Sequence, residues 1–261
     1  MRGQGGGQMG DLSRAIQIAD GAGAILLELR KHAQSRGLSG RELKDAGDRA
    51  AHEYLIAALA QSHARDAVLS EEAADNPVRL ERERVWIIDP LDGTREYSEY
   101  RDDWAVHVAL WERGQLTAGA VALPGLQTIF SSASREPATT WPAHGRLRFA
   151  VTRTRAHDSV LRAAEALDAE LLPMGSAGYK TCAVIRGEAD AYIHAGGQFE
   201  WDSAAPVAVA RASGLHASRV DGSELAYNGA DPYLPDLLVC RQEISKLLVD
   251  TMARCTRPVS G

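Results

Sequence analysis

The chain has 261 residues, of which 45% are hydrophobic and 25% are charged. This composition is ordinary for a soluble globular protein with a sizeable core, and it excludes a long disordered chain, a fibre and a membrane bundle. Lys and Arg number 29 against 35 Asp and Glu, so the net charge is −6. A nucleic-acid polymer requires a concentrated basic face, so we expect no such partner. A small phosphorylated substrate is compatible with the negative net charge, because it needs only a few local cations or a helix N-terminus.

The cysteines and the apolar runs predict a cytoplasmic protein without a membrane partner. Cys182, Cys240 and Cys255 form no C-x-x-C pair, which favours a reducing compartment and argues against disulfides or structural zinc. No run of 18 apolar residues occurs, so no transmembrane helix is predicted. Residues 1–10 are rich in Gly and lack the apolar centre of a signal peptide, and we interpret them as a disordered lead-in.

The first half begins with helices and continues with strands. Apolar residues recur at helical spacing from Leu12 to Leu27, and a second helix is predicted to begin near Asp48 after a polar stretch. A charged surface loop is predicted at 75–84. A stretch containing Pro and Gly at 136–146 predicts a boundary between an N-terminal α+β half, 11–145, and a C-terminal α/β half, 146–261. Strands are predicted at 67–70, 85–88, 104–110, 116–123 and 128–131.

The second half alternates between strands and helices. Strands followed by helices in both halves favour layered α/β packing. The predicted strands are 147–151, 190–194 and 233–240, and the predicted helices are 158–167, 176–186, 201–213 and 243–254.

The strongest chemical signal is the segment DPLDGT at 89–94, which follows an apolar strand. It delivers two carboxylates, three residues apart, into a turn, and carboxylate oxygens are hard ligands suited to Mg²⁺ or Mn²⁺. Gly93 lets backbone N–H groups approach an anion closely, and Thr94 adds a hydroxyl. Taken alone, the segment is equally compatible with a simple D-G turn between strands.

Two other interpretations of this segment fail on spacing. A calcium loop starting at Asp89 would need oxygen ligands where Leu91, Gly93 and Tyr100 stand. A phosphatase that forms a phospho-aspartate has its two aspartates two positions apart, whereas Asp89 and Asp92 are three apart. The segment therefore favours metal binding over covalent catalysis.

Further acidic residues lie elsewhere in the chain. Glu71 and Glu72 close a predicted strand, Asp202 follows Trp201 at the start of a predicted helix, and Asp48 begins another. Taken alone, the glutamates are a solvated pair and the aspartates are helix caps. The histidines at 107 and 194 lie in strand patterns, and we interpret them as structural.

Taken together, these motifs resemble the inositol monophosphatase superfamily. Its pattern is Glu-Glu after a strand, then D-P-x-D-G-T, then W-D-x-x-A before a helix, and this chain has SEE at 70–72, DPLDGT at 89–94 and WDSAA at 201–205. The segments DGTREY at 92–97, GSAGYK at 175–180 and EWD at 200–202 are most similar to the CysQ branch of 3′-phosphoadenosine 5′-phosphate phosphatases. DDWAVH at 102–107 and DPYLPD at 231–236 are similar to actinobacterial members.

The resemblance implies a fold, a set of metal ligands and a reaction. The implied fold is a layered αβαβα sandwich of the inositol monophosphatase and fructose bisphosphatase type. The implied cofactor is Mg²⁺, as two or three ions that Mn²⁺ can replace, with inhibition by lithium. Members are often homodimers, so a homodimer is expected by analogy. The implied metal ligands are the carboxylates of Glu71, Asp89, Asp92 and Asp202 and the backbone carbonyl of Leu91.

In the implied reaction, a metal-activated water hydrolyses the 3′-phosphate to give AMP and phosphate, in sulfur metabolism. Asp48 pairs with Thr94 to activate the water, and Glu71 belongs to the same catalytic group. One departure is visible, because Asp45 stands where the family usually has Thr. The implied substrate contacts are Asp92, Gly93, Thr94, Arg95, Gly175, Ser176, Lys180 and Asp202.

Two alternatives stay open at this point. The same chemistry could act on inositol 1-phosphate or fructose 1,6-bisphosphate, because members of the superfamily overlap in substrate. A remote alternative is a non-catalytic protein that binds a nucleotide through metal ions.

Overall fold

The computed structural model describes residues 10–37, 39–133, 145–154 and 156–256. These residues form two five-stranded sheets. Sheet A contains β1 to β5 in sequential order, with β1 parallel to β2 and the other pairs antiparallel. The strands of sheet A are β1 (Ala67–Ser70), β2 (Arg84–Asp92), β3 (Ala105–Glu112), β4 (Gln115–Leu123) and β5 (Thr128–Ser131).

Sheet B has the order β7-β6-β8-β10-β9. Its β6 is parallel to β7 and β8, whereas β10 is antiparallel to β8 and β9. The strands of sheet B are β6 (Arg148–Thr152), β7 (Glu170–Met174), β8 (Ala191–Phe199), β9 (His216–Ser218) and β10 (Tyr233–Cys240).

Helices cover the sheets and separate them. The described helices include none that is long and apolar enough to cross a membrane. Three short 3₁₀ segments lie at Pro77–Glu81, Pro124–Leu126 and Gln242–Ile244. The α-helices are α1 (Asp11–Ser35), α2 (Arg41–Ser62), α3 (Thr94–Ser98), α4 (Asp158–Ala166), α5 (Ala177–Ile185), α6 (Glu200–Ala212) and α7 (Ser245–Cys255).

The layer order is αβαβα, which confirms the expected fold class. Helices α1 and α2 pack on the outer face of sheet A, α5 and α6 lie between the sheets, and α4 and α7 cover the outer face of sheet B. The apolar run in β2 shows why both faces of sheet A must be covered. Trp86 and Ile88 enter the cluster under α1 and α2, whereas Val85 and Ile87 enter the cluster between the sheets, as the two-residue period of a strand requires.

Several predicted boundaries were wrong. Helix α2 begins at Arg41, seven residues before Asp48, because its polar first turns lie on the surface while Leu43 faces the core. Strand β2 continues past Asp89 to Asp92, with a register shift in its pairing to β3. Strand β7 was missed because it contains Pro173, which an edge strand tolerates. The short β9 was also missed.

The predicted surface loop at 75–84 is only partly correct. It contains the 3₁₀ segment Pro77–Glu81, and within that segment the Arg79 side chain is buried. The predicted boundary at 136–146 lies mostly outside the described residues, as does nearly all of the lead-in at 1–10. The division into halves therefore stays a prediction, although sheet A comes from residues 67–131 and sheet B from 148–240.

We predict that Gly119→Ala destabilises the protein. Gly119 lies where α6 crosses β4, and an added Cβ would stand 2.5 Å from the Ala208 Cβ. Overpacking of this kind costs about 1–3 kcal/mol. Urea unfolding measures the loss. Gly10→Ala is the matched control, since an added Cβ there meets nothing within 4 Å, and equal stability of the two variants would contradict the packing argument.

Candidate active site

The site begins at the edge of sheet A where β1 ends beside the parallel strand β2, which continues to Asp92. Ser70, the last residue of β1, pairs with Ile88 in β2. The next residue on each strand is acidic, Glu71 on one and Asp89 on the other. Parallel strands deliver their carboxyl ends to the same edge of a sheet, so these two carboxylates emerge side by side.

The third acidic contribution comes from α6, which lies between the sheets. Asp202 occupies the first turn of this helix, two residues after its start at Glu200. The Phe199 N–H donates to Asp202 Oδ2 at 2.6 Å. Asp202 is therefore not the N-cap residue that the sequence predicts: Phe199 is the N-cap, and Asp202, three residues later, accepts its N–H as in a capping box. Because α6 packs on β2 and β3, the same carboxylate also reaches the acidic edge of sheet A.

Asp89, Asp92 and Asp202 form a cluster that fits a metal ion. Each offers one carboxylate oxygen, and these three oxygens lie within 4.8 Å of one another. Asp89 Oδ1 accepts the Leu91 N–H at 3.0 Å, but among the described residues no N–H or hydroxyl donates to its buried Oδ2. Buried oxygens are normally paired, so an unpaired carboxylate oxygen surrounded by other carboxylates is suited to a cation.

Glu71 borders the same cavity without joining the cluster of three. The cavity has a volume of about 300 Å³. Loss of water around the Glu71 carboxyl raises its pKa to about 7. A hydrogen bond with Asp89 acts in the opposite direction, and the negative charges of Asp92 and Glu72 raise the pKa further. The cavity is lined by Glu71, Asp89, Leu91, Asp92, Gly93, Thr94, Arg95, Glu96, Thr152, Thr154, Met174, Gly175, Ser176, Lys180 and Asp202.

Two of the clustered carboxylates carry raised pKa values. Burial raises the pKa of Asp89 well above its usual range, and the charges of Glu71, Asp92 and Asp202 add to the effect. Burial and the charge of Asp92 raise the pKa of Asp202 to about 7. Without a cation, the cluster therefore retains protons at a pH where isolated carboxylates are ionised.

Asp92 is the exception, because hydrogen-bond donors surround its Oδ2. The Ser176 hydroxyl donates to this oxygen, and so does the Gly178 N–H at 2.8 Å. Burial raises the pKa of Asp92, but His107, Lys180 and the Ser176 hydrogen bond outweigh it and lower the pKa to about 2. Asp92 is therefore the member of the cluster that stays ionised at any physiological pH.

His107 belongs to the site, a role that the sequence did not reveal. Its Nε2 lies 3.2 Å from Asp92 Oδ2 and its Nδ1 lies 3.1 Å from the Trp201 carbonyl oxygen. Gly178 leaves room for the ring, since an added Cβ would stand 2.1 Å from Nε2. The missed signal is the β2–β3 register, which places His107 opposite Asp89. His107 thus links sheet A, α5 and α6.

Asp48 and Thr94 approach the site from different helices. Thr94 begins α3 and borders the cavity. Asp48 is buried in α2, and burial together with the charge of Glu72 raises its pKa to about 7. The charge of Asp45 acts in the same direction. No hydrogen bond joins Asp48 to Thr94 within the described part of the chain, so their catalytic pairing stays a prediction.

The turn between β2 and α3 needs glycine. Gly93 has φ of 89°, and an added Cβ would stand 3.2 Å from the Trp104 Cβ and 3.3 Å from the Ser176 Cβ. A residue with a side chain would be strained in this conformation and would push the turn away from Ser176. Gly93 therefore permits the close approach between the DPLDGT turn and the start of α5.

Four of the predicted substrate contacts, Arg95, Gly175, Ser176 and Lys180, already have partners in the protein. The Gly175 N–H donates to Asp103 Oδ2 at 2.7 Å. Buried Lys180 donates through Nζ to the carbonyl oxygens of Gly175 at 3.1 Å and Ser176 at 2.7 Å. Burial lowers the pKa of Lys180 to about 8. Arg95 is exposed and pairs with Glu99 at 3.0 Å. All four predicted contacts border the cavity, and their substrate roles stay predictions.

A second cavity of about 380 Å³ adjoins the first. It includes Asp92, Ser176, Lys180 and Asp202 but extends along β8 and β10. Phe199 and Tyr233 border it with exposed rings, and Phe199 is stacked on Trp201 with 4.8 Å between ring centroids. His194 also borders this cavity, and its Nε2 lies 2.8 Å from the Gly197 carbonyl oxygen. The acidic site therefore opens onto an aromatic surface.

Known proteins share both the sequence pattern and the fold. Residues 11–253 match the inositol monophosphatase family. A Mycobacterium leprae protein named 3′-phosphoadenosine 5′-phosphate phosphatase is 47% identical over 93% of this chain and 93% of its own length. A Mycobacterium bovis protein of the same name is 48% identical over 90% of this chain and 91% of its own length.

A crystal structure of CysQ from Bacteroides thetaiotaomicron, described as a bacterial member of the inositol monophosphatase family, has a similar fold. The TM-score is 0.76 at 25% identity, over 89% of this chain and 97% of that one. The Thermotoga maritima inositol monophosphatase has the same fold, with a TM-score of 0.76 at 18% identity, over 95% of this chain and 98% of that one.

We predict that a divalent cation displaces protons when it binds this cluster. Glu71 and Asp202 have pKa values near 7, so below pH 7 a cation competes with protons and its affinity falls as the pH falls. Titration of Mn²⁺ in two buffers with different ionisation enthalpies measures the proton release. We expect more protons released per ion at pH 6 than at pH 8. Equal release at the two pH values would contradict the raised pKa values.

Proposed function

Because the chain belongs to the inositol monophosphatase family, we propose that it is a magnesium-dependent phosphatase that hydrolyses 3′-phosphoadenosine 5′-phosphate to AMP and phosphate. The observation that carries the proposal is the convergence of Asp89, Asp92 and Asp202 beside a cavity that continues onto an aromatic surface. The mycobacterial relatives bear the name of this activity. We further propose a cytoplasmic location, in keeping with three free cysteines.

The metal ions belong where the carboxylates converge. Asp89, Asp92 and Asp202 would bind them together with Glu71 and the Leu91 carbonyl, with Mg²⁺ as the natural cation in two or three sites. Oxygen ligands of this type suit Mg²⁺ and Mn²⁺. When bound, such cations neutralise phosphoryl oxygens, acidify a water and stabilise the leaving alkoxide.

The remaining polar groups would orient the reactants. Gly93 and Thr94 start α3 at the cavity, where their N–H groups can bind phosphate oxygens. Asp48 has a pKa of about 7, which suits a group that accepts a proton near neutral pH. In this mechanism Thr94 orients the water and Asp48 takes its proton, and attack is in line without a phospho-enzyme.

The second cavity favours a nucleotide over the smaller alternatives. A bisphosphate nucleotide has a base that must lie beyond the reacting phosphate, and the exposed rings of Phe199 and Tyr233 lie on that side of Asp202. Aromatic rings bind bases by stacking. Inositol 1-phosphate and fructose 1,6-bisphosphate have no base to stack. The buried Lys180 between the two cavities would stabilise the charge of the phosphates.

We predict phosphate release from 3′-phosphoadenosine 5′-phosphate with Mg²⁺, and its loss in Asp89→Asn. Asparagine can still accept the Leu91 N–H, but it removes the charge of a buried ligand. Removing a group that only supports a metal ligand typically costs about 10–100-fold in metal affinity or activity. Because Asp89 is itself a proposed ligand, we expect at least about a 100-fold loss of turnover. A phosphate-release assay at fixed Mg²⁺ measures it.

Asp66→Asn is the control, because Asp66 pairs with Arg84 at the opposite end of β1 and β2. We expect its turnover to stay within about twofold of the unchanged protein, because Asp66 lies at the far end of the two strands and, among the described residues, shares no partner with the carboxylate cluster. Rapid turnover of inositol 1-phosphate without release from the bisphosphate nucleotide would reject the proposed substrate. Full activity of Asp89→Asn would reject the proposed site.

We predict that Tyr233→Leu and Phe199→Leu each weaken nucleotide binding selectively. Stacking of a base on an aromatic ring contributes about 1–3 kcal/mol, so KM for the nucleotide should rise about tenfold. Because neither ring lies among the clustered carboxylates, kcat for inositol 1-phosphate should not change. Steady-state kinetics with both substrates measure the difference. An equal effect on both substrates would show that the aromatic surface does not select for a base.

A further inference from the structure

Arg79 is a buried cation that none of the predicted functions uses. Only 1% of its surface is exposed. Its Nε and Nη2 donate to the two carboxylate oxygens of Asp75 at 2.6 and 2.9 Å. Its Nη1 donates to Asn228 Oδ1 at 2.7 Å and its Nη2 donates to the Gly229 carbonyl oxygen at 2.8 Å. The guanidinium therefore joins the β1–β2 connection to a loop of the second half.

Glu200 connects this loop to the carboxylate cluster through the first turn of α6. Its Oε2 accepts the Asn228 N–H at 2.7 Å and its Oε1 accepts the Gly229 N–H at 2.8 Å. Glu200 is buried and is the first residue of α6, and Asp202 follows two positions later. The position of the first turn of α6 therefore depends on the loop that Arg79 binds.

Asp75 connects Arg79 to the other side of the site. Residues 71–76 form an exposed connection that begins with Glu71 at the end of β1. At its start, the Ser70 hydroxyl oxygen accepts the Glu72 N–H at 3.3 Å. At its end, the Arg79 guanidinium binds both oxygens of Asp75. An exposed connection has few packing contacts, so its anchored ends decide where Glu71 lies.

We propose that Arg79 is a positioning residue for the metal site, a role that rests on metal binding by Glu71 and Asp202 in the proposed function. One rigid guanidinium fork fixes the connection that carries Glu71 and, through Glu200, the helix turn that carries Asp202. We name this set of residues the Arg79 clasp: Asp75, Arg79, Glu200, Asn228 and Gly229.

The physical reason lies in the charge of the site before a cation binds. Glu71, Asp89, Asp92 and Asp202 border one cavity with like charges, and repulsion among them would move the exposed Glu71 connection outward. The clasp opposes that movement with bonds that use none of the ligand oxygens. Arginine suits the role because its planar fork can bind a carboxylate and two further oxygens at once, which a lysine ammonium cannot do in the same geometry.

The experiment compares Arg79→Met, Arg79→Lys and Asp75→Asn with the unchanged protein, all as the full chain. Calorimetric titration of Mn²⁺ measures affinity without any turnover. We expect Arg79→Met to bind Mn²⁺ about 10–100-fold more weakly, as for other groups that support metal ligands, with Arg79→Lys and Asp75→Asn in between. Amide hydrogen exchange without metal should become faster at 71–76 and in the first turn of α6.

Arg84→Met is the matched control. Arg84 binds Asp11 at 2.9 Å and Asp66 at 3.1 Å, and it stands at the start of β2, away from the acidic edge. Arg84→Met removes ion pairs far from the acidic residues, so it should leave the Mn²⁺ affinity unchanged. Asp75→Asn leaves the buried guanidinium in place, so it tests the same link if Arg79→Met does not fold.

The outcomes separate this inference from the proposed function. Weaker Mn²⁺ binding in the clasp variants but not in Arg84→Met supports a positioning role. Unchanged Mn²⁺ affinity in the clasp variants, or an equal loss in Arg84→Met, overturns it while leaving the phosphatase proposal intact. An unchanged protein that binds no Mn²⁺ overturns the proposed function and the positioning role together.

Discussion

Repulsion between carboxylates is the constraint on which this structure depends. Asp89, Asp92 and Asp202 offer oxygens within 4.8 Å of one another, and burial makes the charged form of each more costly. Strands β1 and β2 and helix α6 are tied to the rest of the molecule by sheet pairing and core packing, and those interactions keep like charges together. The raised pKa values of Glu71 and Asp202 record the cost of this arrangement.

The cost is distributed unevenly among the carboxylates. Asp92 is stabilised by the Ser176 hydroxyl, the Gly178 N–H and the charge of Lys180, and it remains ionised. Asp89 has one oxygen to which no N–H or hydroxyl of the described residues donates, and its pKa is raised, so it takes up a proton more readily. Asp92 is thus already charged before a cation binds, whereas Asp89 becomes charged only when a cation replaces its proton.

The sequence was most informative where function restricts the backbone. The DPLDGT segment combines a buried strand, two carboxylates and a glycine at positive φ, and its residue types alone indicate metal chemistry. Family resemblance supplied the remaining candidate ligands and the layer order, because local patterns do not show which distant segments meet. Helical periodicity located α1, but it missed the first turns of α2, where polar residues cover the surface.

Residues that support the site were the least predictable. His107 sits in an ordinary apolar strand pattern, and only the β2–β3 register places it opposite Asp89. Arg79 lies in a charged segment that predicts a surface loop, yet tertiary contacts with 228 and 229 bury it. Partners so distant in the sequence leave no mark in a local pattern. For the same reason, Lys180 could be predicted at the site but not its bonds to the carbonyls of 175 and 176.

The position of α6 has a consequence for synthesis of the chain. This helix covers the inner face of sheet A, although sheet A is complete at Ser131 and α6 ends at Ala212. A nascent chain that has just produced the first sheet therefore exposes apolar residues such as Val85, Ile87 and Val121 until about eighty more residues emerge. At about 5–20 residues per second, that interval lasts several seconds. During it, the growing polypeptide depends on chaperones or on rapid elongation to avoid aggregation.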